Sequence, residues 1–287
     1  MSIDVSNVSY TYSAGSPYEK MALDRVSIEI KENDFLGIIG HTGSGKSTFI
    51  QHLNGLLKLQ SGGIVAFGID LSQKKADLRK LRGIVGMVFQ YPEYQLFDET
   101  VYADVSFGPK NIGMLEEEID IAVRNAIELV GLDFDNIKNR SPFDLSGGQK
   151  RRVAIAGVIA MQPKVLVLDE PTAGLDPLGK QEILDMVKKL RETSETTIIM
   201  ISHDIDEIAE FCTRVIVFNK AKLIYDLKPQ DLFYHADELY EMGLDIPAVV
   251  KIANNMRAQG ISVPKDIYKF HQLIEYITGN IAGVVNE

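Results

Sequence analysis

One short stretch of the chain combines glycines, a lysine and hydroxyl residues in a spacing suited to holding phosphate. It directly follows the apolar run FLGII and leads into the helical stretch STFIQHLNGLL. The glycines let successive backbone N–H groups face one anion, and the helix adds its positive N-terminal end. The lysine supplies a charge for the outer phosphates, and the serine after it can ligate Mg²⁺. A glycine-rich turn with a chance lysine would need no such strand and helix. We therefore predict a nucleotide phosphate loop made of Gly40, His41, Thr42, Gly43, Ser44, Gly45, Lys46, Ser47 and Thr48.

A pair of acidic residues ends a second apolar strand. Asp169 and Glu170 directly follow the run Val165–Leu168. Strand ends beside a phosphate loop are where α/β folds place ligand groups. We expect Asp169 to act on Mg²⁺ or a metal-bound water, and Glu170 to orient or deprotonate the attacking water. The alternative is an exposed acidic turn, which the phosphate loop upstream disfavours.

A third stretch, LSGGQ, precedes an apolar helix with a basic first turn. Paired glycines and a serine at a helix N-terminus form an anion site. The residues concerned are Ser146, Gly147, Gly148 and Gln149. The chain thus carries two phosphate-binding helix starts about 100 residues apart, although one phosphate loop needs only one. The economical explanation is that the second start meets the nucleotide of another subunit.

Together the phosphate loop, VLVLDE and LSGGQ resemble the ATP-binding cassette (ABC) ATPases, whose signature motif is LSGGQ. The resemblance covers about residues 3–226 and implies ATP and Mg²⁺ as ligands, bound between two cassettes. It also implies that Tyr12 stacks on adenine and that Gln90 touches Mg²⁺ and the attacking water. By the same resemblance, Asp176 crosses the dimer interface and His203 contacts the γ-phosphate.

Each of these roles has a structural alternative. Tyr12 could pack within its strand while Tyr10 stacks on the base. His203 could be a solvated histidine at a strand end, and Gln90 an ordinary polar loop residue. The one cysteine, Cys212, is best explained as a small buried apolar residue.

Longer segments narrow the resemblance to the ATPases of energy-coupling-factor transporters, which import vitamins or transition-metal ions in prokaryotes. These segments are GHTGSGKST, QHLNGLL, VFQYPEYQLFDETVYADVSFGPKN and LSGGQKRRVAIAGVIAM. Thr42 resembles the second of the two paired ATPase subunits, where the first carries asparagine. The resemblance implies as partners a second cassette, a transmembrane coupling subunit and, indirectly, a membrane substrate-binding subunit.

An aromatic stretch follows Gln90 and contains Tyr91, Pro92, Tyr94, Leu96 and Phe97. An exposed patch of this kind marks a partner site, and in the family this region receives coupling helices of the membrane subunit. We therefore expect docking near residues 91–97. The alternative is a loop that packs inward, as aromatic runs mostly do.

The pattern of elements that position these residues predicts an α/β fold, and the resemblance implies that it is a P-loop ABC cassette with a mixed-sheet core. Buried parallel strands are predicted over Phe35–Ile39, Val165–Leu168, Thr197–Ile201 and Val215–Phe218. Val26, Ile28 and Ile30 alternate with polar residues, which predicts an antiparallel region. Gly62–Gly63 predicts a turn before another strand. The pattern over Glu116–Val130 predicts a helix.

The chain is longer than a cassette requires. We expect a cassette over residues 1–228, with a helical subdomain at about 91–161, and a helical dimerisation extension over 229–287. Pro and Gly bracket two amphipathic helices there. One runs from Pro247 to Gly260 with Val249, Ile252 and Met256 on its stripe; the other runs from Pro264 to Gly279 with Ile267, Phe270, Ile274 and Ile277.

Composition excludes several classes of protein. A formal net charge of −10 argues against nucleic acid as a partner. No apolar run reaches the ~20 residues of a membrane span, and the first residues do not resemble a secretory signal. We expect a peripheral protein at the cytoplasmic face of the membrane. Two alternatives remain: the ATPase of an importer fed by an extracellular binding protein, and a soluble cassette ATPase acting on nucleic acid or ribosomes.

Overall fold

The computed structural model describes the backbone of residues 2–284 and the side chains of residues 2–279. Within these residues, ten strands form a six-stranded sheet and a four-stranded sheet. The strands are β1 (Ile3–Tyr12), β2 (Lys20–Ile30), β3 (Phe35–Gly40), β4 (Ser61–Ala66), β5 (Ile69–Asp70), β6 (Val85–Val88), β7 (Val165–Asp169), β8 (Thr197–Ile201), β9 (Arg214–Asn219) and β10 (Lys222–Leu227).

The larger sheet has the order β10-β9-β3-β8-β7-β6, and every pairing in it except β10 with β9 is parallel. The four predicted buried strands are all present, and the mixed α/β fold class is confirmed. Strand β6 was missed. Its short run VGMV is interrupted by Gly86, where a Cβ would come within 2.7 Å of the Val158 side chain. Close packing of a helix on the strand therefore requires the glycine that weakens the strand pattern.

The smaller sheet is antiparallel, with the order β2-β1-β4-β5. Val26, Ile28 and Ile30 of β2 are buried, as their alternation predicts. The expected turn at Gly62–Gly63 is wrong, because both glycines lie inside β4. The register of β1 against β4 shifts between Ser6 and Ser9, and a Cβ on Gly62 would meet the Asn7 carbonyl oxygen at 2.4 Å. Glycine is needed there to pass this irregularity.

Helices pack on both faces of the larger sheet. Between β6 and β7, residues 92–159 form helices joined by loops. The bounds of the helices are α1 (Lys46–Leu53), α2 (Leu78–Ile84), α3 (Val101–Ile112), α4 (Glu116–Leu129), α5 (Phe134–Ile137), α6 (Gly147–Ile159), α7 (Pro177–Thr193), α8 (Ile205–Phe211), α9 (Pro229–Leu232), α10 (Ala236–Glu241), α11 (Ala248–Ala258) and α12 (Phe270–Val284). Short 3-10 turns lie at Pro92–Gln95, Pro142–Asp144 and Phe233–His235. Among the described residues, no helix combines the length and apolarity needed to cross a bilayer.

The last two helices differ in part from their predicted form. Helix α11 matches the expected span, but its buried residues are Val249, Val250 and Ala253, and Ile252 is exposed. Helix α12 begins at Phe270 rather than near Pro264, and it continues through Gly279. The predicted helix start at Pro264 is wrong because the segment after Pro264 is a loop. Arg257 holds the start of this loop by donating to the Val263 and Pro264 carbonyls.

The C-terminal region contributes to two hydrophobic clusters, which meet near residue 250, whereas the expected end of the cassette is at residue 228. Leu232, Phe233, Leu239, Ile246 and Val250 belong to the same hydrophobic core as the large sheet and the helical segment. A separate cluster is formed by Val249, Ala253, Val263, Ile267 and Leu273. Most buried residues over 229–250 are therefore part of the cassette's core, and the segment beyond them packs partly on itself and, through Tyr268, partly on that core.

Candidate nucleotide-binding and hydrolysis site

The phosphate loop connects β3 to α1 at the carboxyl edge of the large sheet. Its backbone passes very close to its surroundings, since a Cβ on Gly45 would lie 2.3 Å from the Ala22 carbonyl oxygen. Gly45 also has φ of 117°, which L side chains rarely adopt. This loop shape requires glycine at that position.

Lys46, Ser44 and Thr48 are the buried polar residues of the loop. The Lys46 ammonium donates to the carbonyl oxygens of Gly40 at 2.6 Å and His41 at 3.0 Å. Burial lowers the pKa of Lys46, while the nearby Glu170 and Asp169 carboxylates oppose that shift. Among the described residues, Ser44 Oγ is buried without a hydrogen-bond partner. A buried hydroxyl and a buried ammonium in one loop fit the oxygens of a phosphate chain.

Glu170 is held between the two residues predicted to act with it. Gln90 Nε2 donates to Glu170 Oε2 at 2.9 Å, and His203 Nε2 lies 2.8 Å from Glu170 Oε1. The backbone of Glu170 is left-handed, with φ of 51°, and its N–H donates to the Ile201 carbonyl oxygen. Such a conformation is uncommon outside glycine and occurs at functional sites. The arrangement fixes both carboxylate oxygens.

Asp169 lies beside Ser47 and supplies the candidate metal ligand. Burial, together with repulsion from Glu170, raises the pKa of Asp169 to about 6. Lys46, His203 and a hydrogen bond from Ser47 act in the opposite direction. A carboxylate and a hydroxyl are oxygen ligands of the kind that Mg²⁺ prefers. Asp169, Ser47 and the nearby Gln90 therefore fit a Mg²⁺ site.

Tyr12 is the exposed member of its aromatic pair. Its hydroxyl lies 3.2 Å from Thr48 Oγ1 at the start of α1, and 38% of the residue is exposed. Tyr10 packs against the core, and its ring makes an edge-to-face contact with the ring of His52. The structure therefore leaves the Tyr12 ring, rather than Tyr10, available for stacking on a base.

The structure does not bring every predicted residue together. Within residues 2–284, no hydrogen bond or ion pair joins the signature residues 146–149 or Asp176 to the phosphate loop. Ser146 and Gln149 instead form a capping box at the start of α6. Asp176 caps α7 by accepting from the Gly179 N–H at 2.7 Å. Ser146, Gly147 and Asp176 are exposed, and Gly148 and Gln149 are half-buried.

Sequence reasoning missed several residues around this site. Lys20 pairs with Tyr12 across β1 and β2, and a Cβ on Gly43 would lie 3.2 Å from its ammonium. Glu207 is buried and accepts from Ser202 and Thr172, which lie on the loops after β8 and β7. Arg151 is buried and donates to the Pro171 and Ala173 carbonyls of the loop after β7. Only strand register and tertiary packing reveal the positions of Lys20 and Glu207. The sequence shows the basic start of α6 but not the burial of Arg151.

Comparison with known proteins agrees with this geometry. A family model described as ABC transporter matches residues 23–173. An energy-coupling factor transporter ATP-binding protein, EcfA2 of Clostridium perfringens, is 48% identical over 284 residues, which cover 98% of this chain and 100% of that protein. The structure of cbiO1 from Clostridium perfringens, part of the ABC transporter complex cbiONQ, has a TM-score of 0.72 and 39% identity over 89% of this chain and 98% of that one. A dimeric ATP-binding cassette in a post-hydrolysis state with ADP and Pi has a TM-score of 0.69 and 31% identity, over 79% of this chain and 98% of that one.

Asp169→Asn tests the electrostatics of the nucleotide-free site. A carboxyl whose folded pKa is raised from 3.8 to about 6 favours folding at low pH, and this contribution is lost as pH rises through 6. The variant should therefore be more stable than the parent at pH 8, by about 1–2 kcal/mol after allowance for solvent screening. The difference should vanish below about pH 4. Denaturant unfolding between pH 4 and 8 measures it.

Asp135→Asn is the matched control, because hydrogen bonds from Lys138 and Arg124 lower the pKa of Asp135. Its removal should bring no gain in stability as pH rises. A pH-independent effect of Asp169→Asn, or a loss of stability at pH 8, would contradict the assignment.

Proposed function

The chain belongs to the ABC transporter family, and we propose that it is the ATP-binding and ATP-hydrolysing subunit of a prokaryotic energy-coupling factor transporter. As a member of this family it uses ATP with Mg²⁺ and couples hydrolysis to transport. The observation that carries the proposal is the Gln90–Glu170–His203 contact beside the phosphate loop. It occurs in a chain that matches an energy-coupling factor ATP-binding protein over nearly its whole length.

Hydrolysis in this site depends on Glu170 as the base. Its oxygens are oriented by Gln90 and His203, so the carboxylate can take a proton from a water aligned with the γ-phosphate. Lys46 and the loop N–H groups hold the phosphate chain, and the Tyr12 ring stacks on adenine. Ser47, Gln90 and Asp169 would hold Mg²⁺, which would supply positive charge to offset the charge that develops on the phosphates.

The exposed signature residues and Asp176 support a sandwich with a second cassette. Each ATP would lie between one phosphate loop and the partner's LSGGQ, so binding favours the closed pair by differential affinity. Hydrolysis removes the bridging γ-phosphate and lets the pair open. A related cassette with ADP and Pi is itself dimeric. We infer that the partner is a paralogous or identical cassette, with this chain as the second of the paired ATPases.

The segment 91–97, called here the docking segment, supports contact with a transmembrane coupling subunit. Tyr94 is 85% exposed and Phe97 59% exposed, whereas Leu96 is buried. Phe97 also lines a cavity of about 580 Å³ between the large sheet and the helical segment, with Leu56, Phe89, Phe107 and Met161. Apolar walls of this extent fit an inserted helix end from a membrane protein.

The C-terminal helices support a second contact between cassettes. Phe270 is 64% exposed and Ile274 45% exposed on one face of α12, and Ile252 is exposed on α11. Large exposed apolar side chains grouped in this way mark a surface that binds a partner. We infer that the segment beyond residue 250 holds the two ATPases together without nucleotide.

The transported substrate would reach the membrane subunits and not this chain. We propose vitamins or transition-metal ions as the substrate classes, delivered by a membrane substrate-binding subunit. The ATPase would then be peripheral at the cytoplasmic face of the membrane, where it meets the coupling subunit.

Glu170→Gln tests the catalytic assignment. In an assembled transporter whose partner ATPase lacks its equivalent base, hydrolysis should fall about 10²–10⁴-fold because proton transfer to the carboxylate is lost. ATP binding, measured by fluorescence of a labelled nucleotide, should change less than about threefold. Glu192→Gln, an exposed change on α7, is the control. Turnover near that of the parent would exclude Glu170 as the base.

Tyr94→Ala combined with Phe97→Ser tests docking. We expect loss of the transmembrane subunit on co-purification from membranes, since both exposed rings are removed, with nucleotide binding retained. Ile121→Ser, which changes an equally exposed apolar residue on α4, should leave co-purification intact. Recovery of the same membrane subunit with the double variant, or of nucleic acid with the parent, would count against the proposal.

Phe270→Ser combined with Ile274→Ser tests the C-terminal contact. A cut after Asp226 would not serve, because it removes buried core residues such as Leu232. The double variant should weaken nucleotide-free association of the paired ATPases, measured by light scattering, while ATP binding and the melting temperature of the single cassette stay unchanged. Ile121→Ser is again the control. Unaltered association would disprove this role of α12.

A further inference from the structure

Arg151 is a buried cation on the signature helix α6 that the hydrolysis mechanism does not use. Its side chain is 1% exposed. The guanidinium makes a bidentate pair with Glu93 of the docking segment, from Nε to Oε2 at 2.9 Å and from Nη2 to Oε1 at 3.1 Å. A paired geometry of this kind fixes orientation as well as distance.

The same guanidinium also holds the loop that connects the catalytic and interface residues. Its Nη1 donates to the Ala173 carbonyl oxygen at 2.7 Å and to the Pro171 carbonyl oxygen at 3.3 Å. These carbonyls lie between Glu170, the base, and Asp176, which faces the other cassette. Arg151 thus joins α6 to both the docking segment and this loop.

Tyr91 provides a second, independent link between the same two segments. Its ring centroid lies 5.7 Å from the Arg151 guanidinium carbon. A Cβ on Gly174 would come within 3.3 Å of the Tyr91 ring, so the ring packs directly on the loop. The backbone of Tyr91 is left-handed, with φ of 56°. The docking segment therefore contacts the loop through a ring as well as through the arginine.

Stability alone does not account for Arg151. A buried ion pair is weak evidence for stability, because well-packed apolar residues of similar volume often serve as well. The neighbouring Arg152 shows the contrast. It bonds the Val130 and Gly131 carbonyls and pairs with Glu182, and none of these belongs to the docking segment or to loop 170–176.

We propose that Arg151 is a positioning residue that ties the docking segment to loop 170–176, so that the docked membrane subunit sets the placement of Glu170 and Asp176. The inference rests on the proposed function of the docking segment. A movement of Glu93 by the partner is passed through the guanidinium to the Ala173 carbonyl and to α6. Phosphate binding at Lys46 lies outside this chain of contacts.

A double-mutant cycle in the assembled transporter tests the proposal. The variants are Arg151→Lys, Glu93→Gln and both together, with Arg152→Lys as the matched control. A lysine keeps the charge but cannot bond Glu93 and both carbonyls at once. We expect each single variant to lower kcat about tenfold or more while KM and nucleotide affinity change less than about threefold. The double variant should be no slower than the slower single variant within about threefold, because both changes break one connection.

Three outcomes would overturn the coupling role: multiplicative losses in the double variant, an unchanged kcat in the single variants, or an equal effect of Arg152→Lys. A purely structural role would lower the melting temperature and leave kcat of the folded protein unchanged. Failure of the proposed function is seen separately, because the parent chain would then not assemble with a membrane subunit.

Discussion

The parallel pairing of β6, β7, β8 and β3 is the constraint on which the site depends. In-register neighbours such as Val88 with Leu168 and Asp169 with Ile201 bring the carboxyl ends of these strands to one edge of the sheet. The loops that follow carry Gln90, Glu170, His203 and the phosphate loop. The distances of 2.8 and 2.9 Å around Glu170 are possible because the three chain segments that carry Gln90, Glu170 and His203 follow strands that end at the same level. The other elements cover the faces of this sheet or extend from its edge.

The charges at that edge are arranged for a ligand rather than for the empty fold. Burial and, after it, the nearby Glu170 carboxylate raise the pKa of Asp169, and the buried Lys46 is a cation that faces both carboxylates. A divalent cation would favour ionised Asp169, and a phosphate chain would in turn offer Lys46 a stronger partner than the loop carbonyls. Nucleotide with its metal would therefore offset both the cost of ionising Asp169 and the cost of burying the Lys46 ammonium. Binding of the nucleotide would stabilise the fold for the same reason.

Sequence reasoning reached the contiguous features of this protein and missed those made by packing. The phosphate loop, the strand ending in Asp169 and Glu170, and the signature at the start of α6 each lie within about ten residues, so spacing alone reveals them. Gln90 and His203 were placed by resemblance, since nothing in their local pattern shows that both reach one carboxylate. Strand β6 and the true start of α12 were missed because Gly86 and Pro264 serve tertiary packing and a loop, which local propensity does not register. The basic first turn of α6 is evident in the sequence, but the burial of Arg151 and its pairing with Glu93, a residue of a different element, are not.

The C-terminal region connects to the site more closely than an appended domain would. Ala248 N–H at the start of α11 donates to Asp206 in α8, which follows His203. The turn at Gly243 lies against the phosphate loop, where a Cβ would come within 2.6 Å of His41 Nε2. Residues 229–250 share the main core, so the orientation of α11 relative to the phosphate loop is set by packing rather than by a flexible linker. If two such chains associate through the helices beyond residue 250, their phosphate loops are therefore held in a limited range of orientations. Closure on ATP then requires a smaller ordering cost than the meeting of two free cassettes.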